Sequence, residues 1–483
     1  MTKLHESFWR ARHRLLTFAL SVCWLGFSAW ATAQPSSPTA SQPITRVPSV
    51  ELIGRDLVDL LGQLTAAEKD SARRLPLRPV LEKVAGAVQR APQFQLNLSN
   101  VNFLLGARDE ARSGLLPQIS GGWGNGQRHY DVPMGGDQFA SYSGNYLNKS
   151  LTAKQLIYDF GNVGSGLEAA QKRLAGSELN VNAQRSEVFW QALRSFYEVQ
   201  RAMLQLALAQ ENLSARQSFV RFIRERMSLG ASSPADVVRA ESRVADAQDA
   251  LATSRQNLAQ LQAAYRLYFM EDAQAYWLPV EIEIGSLKSR DLDDLTEVHP
   301  SVRQAQLNLQ AAQHDLDSAK GRYVGGVFLE VSRTQTHNPG QSQPLNDQSA
   351  MLMLRSDLYT GGAQTAKIQQ ALARVTTAEF ELEKIKQETQ KAMREAFSEV
   401  EGTQSSVQAR LQLFSGSVDA YSIAKDLYAF GRSSLFEVLK SQEDLFMAGQ
   451  KLIDSLINRS LARFKLLHAS HQLNETVNRS LAP

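Results

Sequence analysis

Cysteine is almost absent from this chain. The only one, Cys23, lies in an apolar stretch at residues 15–30, which follows a basic segment and precedes the small residues 31–33 (ATA). This order is typical of a cleaved secretory signal peptide, and an uncleaved anchor is the alternative. We predict that residues 1–33 are removed, so that the mature chain contains no cysteine and can form neither a disulfide nor a thiolate site.

A strong charge of one sign is also missing. The chain has 52 Lys and Arg against 49 Asp and Glu, and four of the basic residues lie in the predicted signal peptide. The sequence has no basic stripe, which argues against nucleic acid as a partner. After Trp30 no window comes near the ~20 apolar residues that a membrane-spanning helix needs, and this excludes such a helix from the predicted mature chain.

Motifs of enzyme active sites are not found. The sequence has no glycine-rich phosphate loop, no nucleophile elbow and no His–Glu zinc helix. His468 and His471 would share a helix face and could bind a metal with a third ligand, but they have no obvious carboxylate or thiolate partner nearby. Residues 291–294 (DLDD) lack the glycine and the terminal glutamate of a calcium loop. We expect packed or solvated histidines, an exposed acidic turn, no metal, no cofactor and no enzymatic activity.

The sequence does contain an internal repeat with an offset of 201 residues. Tyr158 and Gly161 recur as Tyr359 and Gly362, and the segment LGASSPADV at 229–237 recurs as FGRSSLFEV at 430–438. A fixed offset indicates two copies of one structural unit. The predicted divisions are a signal peptide (1–33), a leader with an extra helix (34–80), repeat 1 (81–285), and repeat 2 with a C-terminal tail (286–483).

Each copy is predicted to begin with two strands. Residues 118–158 are rich in Gly, Ser, Asn and Tyr, with a polar loop near 132–137, and residues 327–331 and 350–354 alternate around a loop at 337–346. Four strands cannot close a barrel, because about eight is the practical minimum, whereas three chains would supply twelve. The alternation places six residues on one face: Val327, Leu329, Val331, Ala350, Leu352 and Leu354.

Long helices are predicted to follow each pair of strands. Residues 162–229 and 363–430 contain no proline, and each would form a helix on the order of 100 Å long. Helices return from 234 to about 276 and from 435 to about 478, with apolar or small residues every seven positions, which is typical of a left-handed supercoil. An ordinary antiparallel coiled-coil rod would explain these heptads but not the hairpins.

The order and spacing of several short motifs resemble the TolC family of trimeric outer-membrane channel proteins. The resemblance covers residues 81–474, and Gly325 stands where that family usually has proline. The motifs are ARSGLLPQ (111–118), LIYDFG (156–161), HPSVR (299–303), LYTGG (358–362) and YAFG (428–431).

The resemblance implies a mainly α fold with a β-barrel part. Three chains would form a twelve-stranded outer-membrane β-barrel, with the six alternating residues above facing lipid, and an α-helical tunnel through the periplasm of a Gram-negative cell. Expected partners are two further copies in a homotrimer, a periplasmic adaptor (membrane fusion) protein, an inner-membrane ABC or proton-driven transporter, and outer-membrane lipid. The expected role is the exit duct for type I protein secretion. A tripartite drug or metal efflux pump and a periplasmic coiled-coil scaffold without a pore are the alternatives.

The helix turns of the two repeats are the predicted periplasmic tip. Gly230 and Gly431 fit the left-handed position that ends a helix, and Ser233 and Ser434 fit as N-caps of the returning helices. The resemblance implies a gate formed by Asp236, Tyr428, Glu437 and Lys440 and an adaptor-docking tip formed by Leu229, Gly230, Ala231, Phe430, Gly431 and Arg432.

Two departures from the family pattern affect this gate. Lys440 stands where a second carboxylate is common and Ser433 where an arginine is common. Lys440 is three residues after Glu437, at a spacing that predicts an ion pair on one helix face. Since Asp236 and Glu437 each follow an N-cap serine by three residues, the alternative is that both carboxylates only complete capping boxes.

Overall fold

The computed structural model describes residues 77–273, 282, 284 and 291–481. The predicted signal peptide and the helix predicted before residue 75 lie outside these residues. The described elements are α1 (Leu77–Arg90), α2 (Pro92–Ser113), β1 (Gln118–Gly135), β2 (Gln138–Tyr158), α3 (Asn162–Ser228), α4 (Pro234–Phe269), α5 (Asp291–Val298), α6 (Pro300–Val324), β3 (Gly326–His337), β4 (Leu345–Arg355), α7 (Ala363–Ala429), α8 (Leu435–Ala469) and α9 (Leu473–Leu481).

The chain is mainly helical, with two copies of one strand–strand–helix–helix unit, as predicted. The outgoing helices α3 and α7 each have 67 residues and are therefore about 100 Å long at 1.5 Å per residue. Each ends one residue before the predicted boundary. Because both run far beyond the size of a compact domain, each needs helical neighbours along its length.

The described strands form one antiparallel sheet in the order β1-β2-β3-β4, so the hairpins of the two repeats lie side by side. Val327 pairs with Leu354, Leu329 with Leu352, and Val331 with Ala350. Directly opposed residues point to the same face of a sheet. The six residues therefore share one face, as the alternation predicted, and we call it the apolar face.

Gly325 joins α6 to β3 in a conformation that suits glycine alone. Its φ is 101°, and a Cβ atom at this position would lie 2.3 Å from the carbonyl oxygen of Arg355. A side chain would collide with the backbone that follows β4, so the close approach of these two segments requires glycine. The departure from the family's proline therefore has a local structural reason.

The seven-residue seams of the returning helices are buried against the outgoing helices. Val237, Leu251 and Tyr265 are buried in α4, and Leu445 and Leu452 are buried in α8. Small residues on the second seam of α8 are buried as well, among them Ala448, Ser455 and Ala462. Small side chains let paired helices approach closely, which is the packing that the heptads predicted.

Both returning helices are shorter than predicted. α4 ends at Phe269, where Met270 adopts a left-handed conformation and Asp272 folds back to accept a hydrogen bond from Arg266 at 2.7 Å. α8 ends at Ala469, and the chain starts a separate helix, α9, at Leu473. The boundary predictions at about 276 and 478 are wrong because neither helix end carries the usual glycine or proline signal.

The described helices include none that is both long and apolar enough to cross a membrane.

Candidate functional site

The helix turns of the two repeats have nearly the same backbone geometry. Gly230 and Gly431 both have a φ of 73°. The N–H groups of the next residues, Ala231 and Arg432, donate to the carbonyls of Arg226 and Leu427 at 2.8 Å in each case. This is the Schellman closure that glycine allows at a helix C-terminus. The repeat therefore preserves the turn as a structural unit, although the two sequences differ at five of nine positions.

Asp236 completes a capping box in the first turn. Its backbone N–H donates to the Ser233 hydroxyl at 3.2 Å, and its carboxylate accepts from the Ser233 backbone N–H at 3.1 Å. Both polar ends of the N-cap residue are satisfied by this exchange. The Asp236 carboxylate is thus engaged with the start of its own helix.

Glu437 is held differently from its counterpart in the first repeat. Its backbone N–H donates to the Ser434 hydroxyl at 3.3 Å, but its carboxylate accepts from the Ser433 hydroxyl at 2.6 Å. Lys440 pairs with Asp444 at 2.7 Å, so the prediction that it pairs with Glu437 is wrong. The i,i+4 spacing lets the lysine reach along the helix. The exposed Glu437 carboxylate therefore stays at the turn. Among the described side chains, its one hydrogen-bond partner is the Ser433 hydroxyl.

Tyr428 connects the two turns. The side chain is buried, its ring packs edge-on against Phe222 with the centroids 6.4 Å apart, and its hydroxyl lies 3.4 Å from the hydroxyl of Ser232 in the other repeat. A tyrosine fits here because its ring fills an apolar contact while its hydroxyl reaches a polar partner. The structure thus brings Tyr428 across to the neighbouring turn.

Arg226 is a residue of this site that the sequence analysis missed. Its guanidinium donates to the carbonyls of Tyr428 at 3.3 Å and Ala429 at 2.9 Å, and lies 5.0 Å from the centre of the Tyr428 ring. The carbonyl end of a helix is electronegative, so a cation there is stabilising. Arg226 therefore ties the end of α3 to the end of α7. A basic residue in a last helical turn is a weak signal, and its partner in the other repeat could not be read from the sequence.

Arg216 was missed for the same reason. It is only 3% exposed, and it bonds to Asn212 at 3.1 Å, to the Arg243 carbonyl at 3.1 Å and to the carboxylate of Glu443. These partners belong to α3, α4 and α8. A buried cation is costly unless it is paired, and Arg216 finds its partners on both helix pairs. This contact therefore joins the first helix pair to the second above the tip.

The predicted docking residues lie at the surface of the turns. Leu229 and Phe430 are 77% and 80% exposed, and Phe436 at the start of α8 is also exposed. Ala231 and Arg432 are exposed between them. Large apolar side chains grouped at an exposed end of a molecule are typical of a protein–protein contact.

The histidine pair is separated by the end of α8. His468 contacts Ser186 at 3.1 Å and Glu187 at 3.0 Å, while His471 adopts a left-handed conformation and packs edge-on against His299. The prediction that His468 and His471 share a helix face is therefore wrong. Within the described ranges, no group of three or more His, Cys, Asp or Glu residues could hold a metal ion.

The acidic run at 291–294 is helical. It forms the first half of α5, and the Asp293 carboxylate accepts from Gln390 at 2.7 Å and from Arg394 at 3.2 Å on α7. The prediction of an exposed acidic turn is therefore wrong in its secondary structure. The run is part of α5, and Asp293 holds that helix against α7.

Residues 85–270 and 292–469 match the family model described as outer membrane efflux protein, with one matched segment in each repeat. The chain belongs to this family. It is accordingly an outer-membrane efflux channel, a component of an export system, and not an enzyme.

Curated relatives are distant but cover most of the chain. The outer membrane efflux protein BepC of Brucella suis is 21% identical over 400 residues, 81% of this chain and 86% of BepC. Protein CyaE of Bordetella pertussis is 24% identical over 421 residues, 84% of this chain and 86% of CyaE.

Solved structures share the fold of this efflux protein. CusC matches with a TM-score of 0.71 at 17% identity, over 82% of this chain and 93% of CusC. The outer membrane protein VceC of Vibrio cholerae matches with a TM-score of 0.71 at 15% identity, over 82% of this chain and 97% of VceC. At these identities the likeness concerns the fold alone.

Proposed function

We propose that three copies of this protein form the exit channel of a trans-envelope export system, gated at the helix turns. The supporting observation is the unequal burial of the two long helices. Helix α3 buries 24 residues, whereas α7, of equal length, buries eight and leaves Leu372, Phe380 and Ile423 exposed. A helix of about 100 Å that leaves apolar side chains in water along one side loses the stabilisation that their burial would give. A neighbouring copy against α7 completes the tunnel wall, and the sheets of three copies supply twelve strands for the barrel.

The contact between the two turns is the observation that carries the gate. Tyr428 and Arg226 join the first helix pair to the second at their shared end, while the apolar side chains around them are buried. When three such ends converge, the exposed Glu437 carboxylates lie at one opening. Breaking the contacts of Tyr428 and Arg226 frees α7 and α8 to move outward. We assign Asp236 to capping and Tyr428, Glu437 and Arg226 to gating, with Lys440 held by Asp444 beside them.

The exposed apolar turn supports docking of a periplasmic adaptor. Leu229 and Phe430 directly precede Gly230 and Gly431 and are exposed at the helix turns. In the proposed channel these turns form the end of the tunnel, where an adaptor and an inner-membrane transporter would meet it. Three copies would repeat this apolar contact around the opening. An adaptor with apolar side chains in matching positions would bury it.

The gate proposal predicts a difference between two carboxylates that occupy equivalent positions. Tyr428→Phe combined with Glu437→Ala should raise single-channel conductance in a planar bilayer, because one turn-to-turn contact and the charge at the opening are removed together. Asp236→Ala is the matched control. It should lower helix stability by about 0.5–1.5 kcal/mol through loss of the hydrogen bond between its carboxylate and the Ser233 backbone N–H and leave conductance unchanged. Unchanged conductance in the double variant would show that Glu437 serves only the start of its helix.

We propose two candidate cargoes for this channel, the first a secreted protein and the second small solutes. The tunnel of long helices suits either. The names of the relatives BepC, an outer membrane efflux protein, and CusC, a cation efflux system protein, favour the second. Deleting the gene and comparing the culture supernatant with the growth-inhibitory concentrations of toxic solutes distinguishes them. Loss of one secreted protein with unchanged solute sensitivity supports protein secretion, and the reverse result supports efflux.

A further inference from the structure

Two cations lie on the apolar face of the sheet, beyond its apolar residues and toward the hairpin ends. Arg333 follows Leu329 and Val331 at the same two-residue spacing, and it pairs with Leu151 of β2. Lys149, two residues from Leu151, is therefore on the same face and diagonal to Arg333. Diagonal neighbours of this kind are about 7–8 Å apart, within reach of a shared ligand. Both side chains are exposed.

Trp123 extends this pair across the next strand. It is directly opposed to Lys149 and is 70% exposed on the same face. Arg333 lies two residues nearer to the helical end of the strands than Gln335, which is directly opposed to Lys149. Trp123, Lys149 and Arg333 therefore lie within two residues of one level across three neighbouring strands.

The distance to the opposite end of the strand fits the apolar layer of a membrane. Tyr158, which is exposed, ends β2 nine residues from Lys149. At about 3.3 Å per residue and a tilt of about 40°, these residues are roughly 23 Å apart in height. Aromatic residues flank the ~25 Å apolar band of such proteins at both interfaces. Trp123 and the two cations thus stand at the outer interface.

The charge of this surface is not balanced by the protein. No Asp or Glu lies on this face among the described strand residues between Tyr158 and Lys149 or among the residues paired with them. Glu330 and Asp347 point to the other face. In the described part of the chain neither Lys149 nor Arg333 has a carboxylate within ion-pair distance. Two neighbouring cations repel each other in the absence of an anion.

We propose that Lys149, Arg333 and Trp123 bind the phosphate groups of the phosphorylated glycolipid in the outer leaflet. Arginine offers a fork of donors that suits phosphate oxygens, and lysine adds a mobile point charge. Tryptophan places its ring at the apolar boundary and its N–H toward the headgroups. The inference rests on the proposed barrel, because only insertion brings this face to lipid.

The test uses the purified full-length trimer and a defined glycolipid. Native mass spectrometry counts lipid A bound to the wild type and to the Lys149→Gln/Arg333→Gln variant, with fully dephosphorylated lipid A in parallel. Each basic residue near an anionic surface contributes enough for the double variant to bind phosphorylated lipid A roughly tenfold to thirtyfold more weakly. Binding of the dephosphorylated lipid should be the same in both proteins. Lys154→Gln is the matched control, since Lys154 is on the same strand but on the opposite face, and it should bind like the wild type.

Equal binding of phosphorylated lipid A by the wild type and the double variant would overturn the inference and leave the channel intact. An equal loss in the Lys154→Gln control would also overturn it, because the effect would then be one of net charge. A wild-type chain that does not fractionate with outer membranes would contradict the barrel itself, so the two failures are distinguishable.

Discussion

Replacing Leu352 with arginine is expected to deplete the folded trimer. Leu352 is 70% exposed and stands between Ala350 and Leu354 in the middle of the apolar residues of β4. In the proposed barrel this position lies inside the apolar band of the membrane. An arginine on the lipid face costs about 2–4 kcal/mol at the midplane, and three copies of the defect occur in one trimer. The yield of heat-resistant trimer in outer-membrane fractions measures the effect.

Met351→Arg is the matched control for this substitution. Met351 is the adjacent residue on the same strand, but it points to the other face and pairs with Glu330. An arginine there gains a carboxylate neighbour across the strands, so trimer yield should stay close to that of the wild type. Equal depletion by both variants would show that the strand tolerates no arginine on either face. Normal yield from Leu352→Arg would contradict the lipid-facing assignment.

Acidification is expected to loosen the region where α6 meets the end of α8. Burial, together with the neighbouring His471 and His468, lowers the pKa of His299 to about 4. Burial and His468 also lower the pKa of His471. Glu187 is a charged neighbour of His468, and its pKa is lowered mainly by its hydrogen bond with that histidine.

The sign of the effect follows from the order of the two pKa values. In the unfolded chain His299 takes up a proton near pH 6.5, whereas in the folded chain it does so only near pH 4. The stabilisation is therefore complete above pH 6.5 and is lost as the pH falls toward 4. At ~1.4 kcal/mol per unit of pKa difference, the free energy of unfolding lost through His299 reaches up to about 3 kcal/mol per subunit. Thermal unfolding of the trimer as a function of pH measures it.

His299→Asn separates titration from helix capping. The Nδ1 atom of His299 accepts a hydrogen bond from the Ser301 backbone N–H at 3.2 Å, at the N-cap of α6. Asparagine is a good N-cap and has no proton to gain in this range. The variant should fold normally at pH 7.5 and show a shallower fall in stability between pH 6.5 and 4. A slope identical to that of the wild type would mean that other groups control the acid response.

Local pattern was sufficient for much of this fold. The absence of proline from 162–229 and 363–430 predicted the long helices to within one residue. Alternation predicted the apolar face, and the Ser233–Asp236 spacing predicted the capping box that the structure contains. These features depend on residues a few positions apart, and so a single sequence is enough to recognise them.

Only the tertiary structure determined which residues meet across the repeats. Arg226 of α3 reaches the carbonyls of Tyr428 and Ala429 at the end of α7, some 200 residues away, and Arg216 of α3 reaches Glu443 of α8. Each outcome depends on how two long helices are aligned along their axes. Heptads repeat every seven residues and are compatible with several alignments, so the sequence determines that the helices pair but not which polar groups face each other.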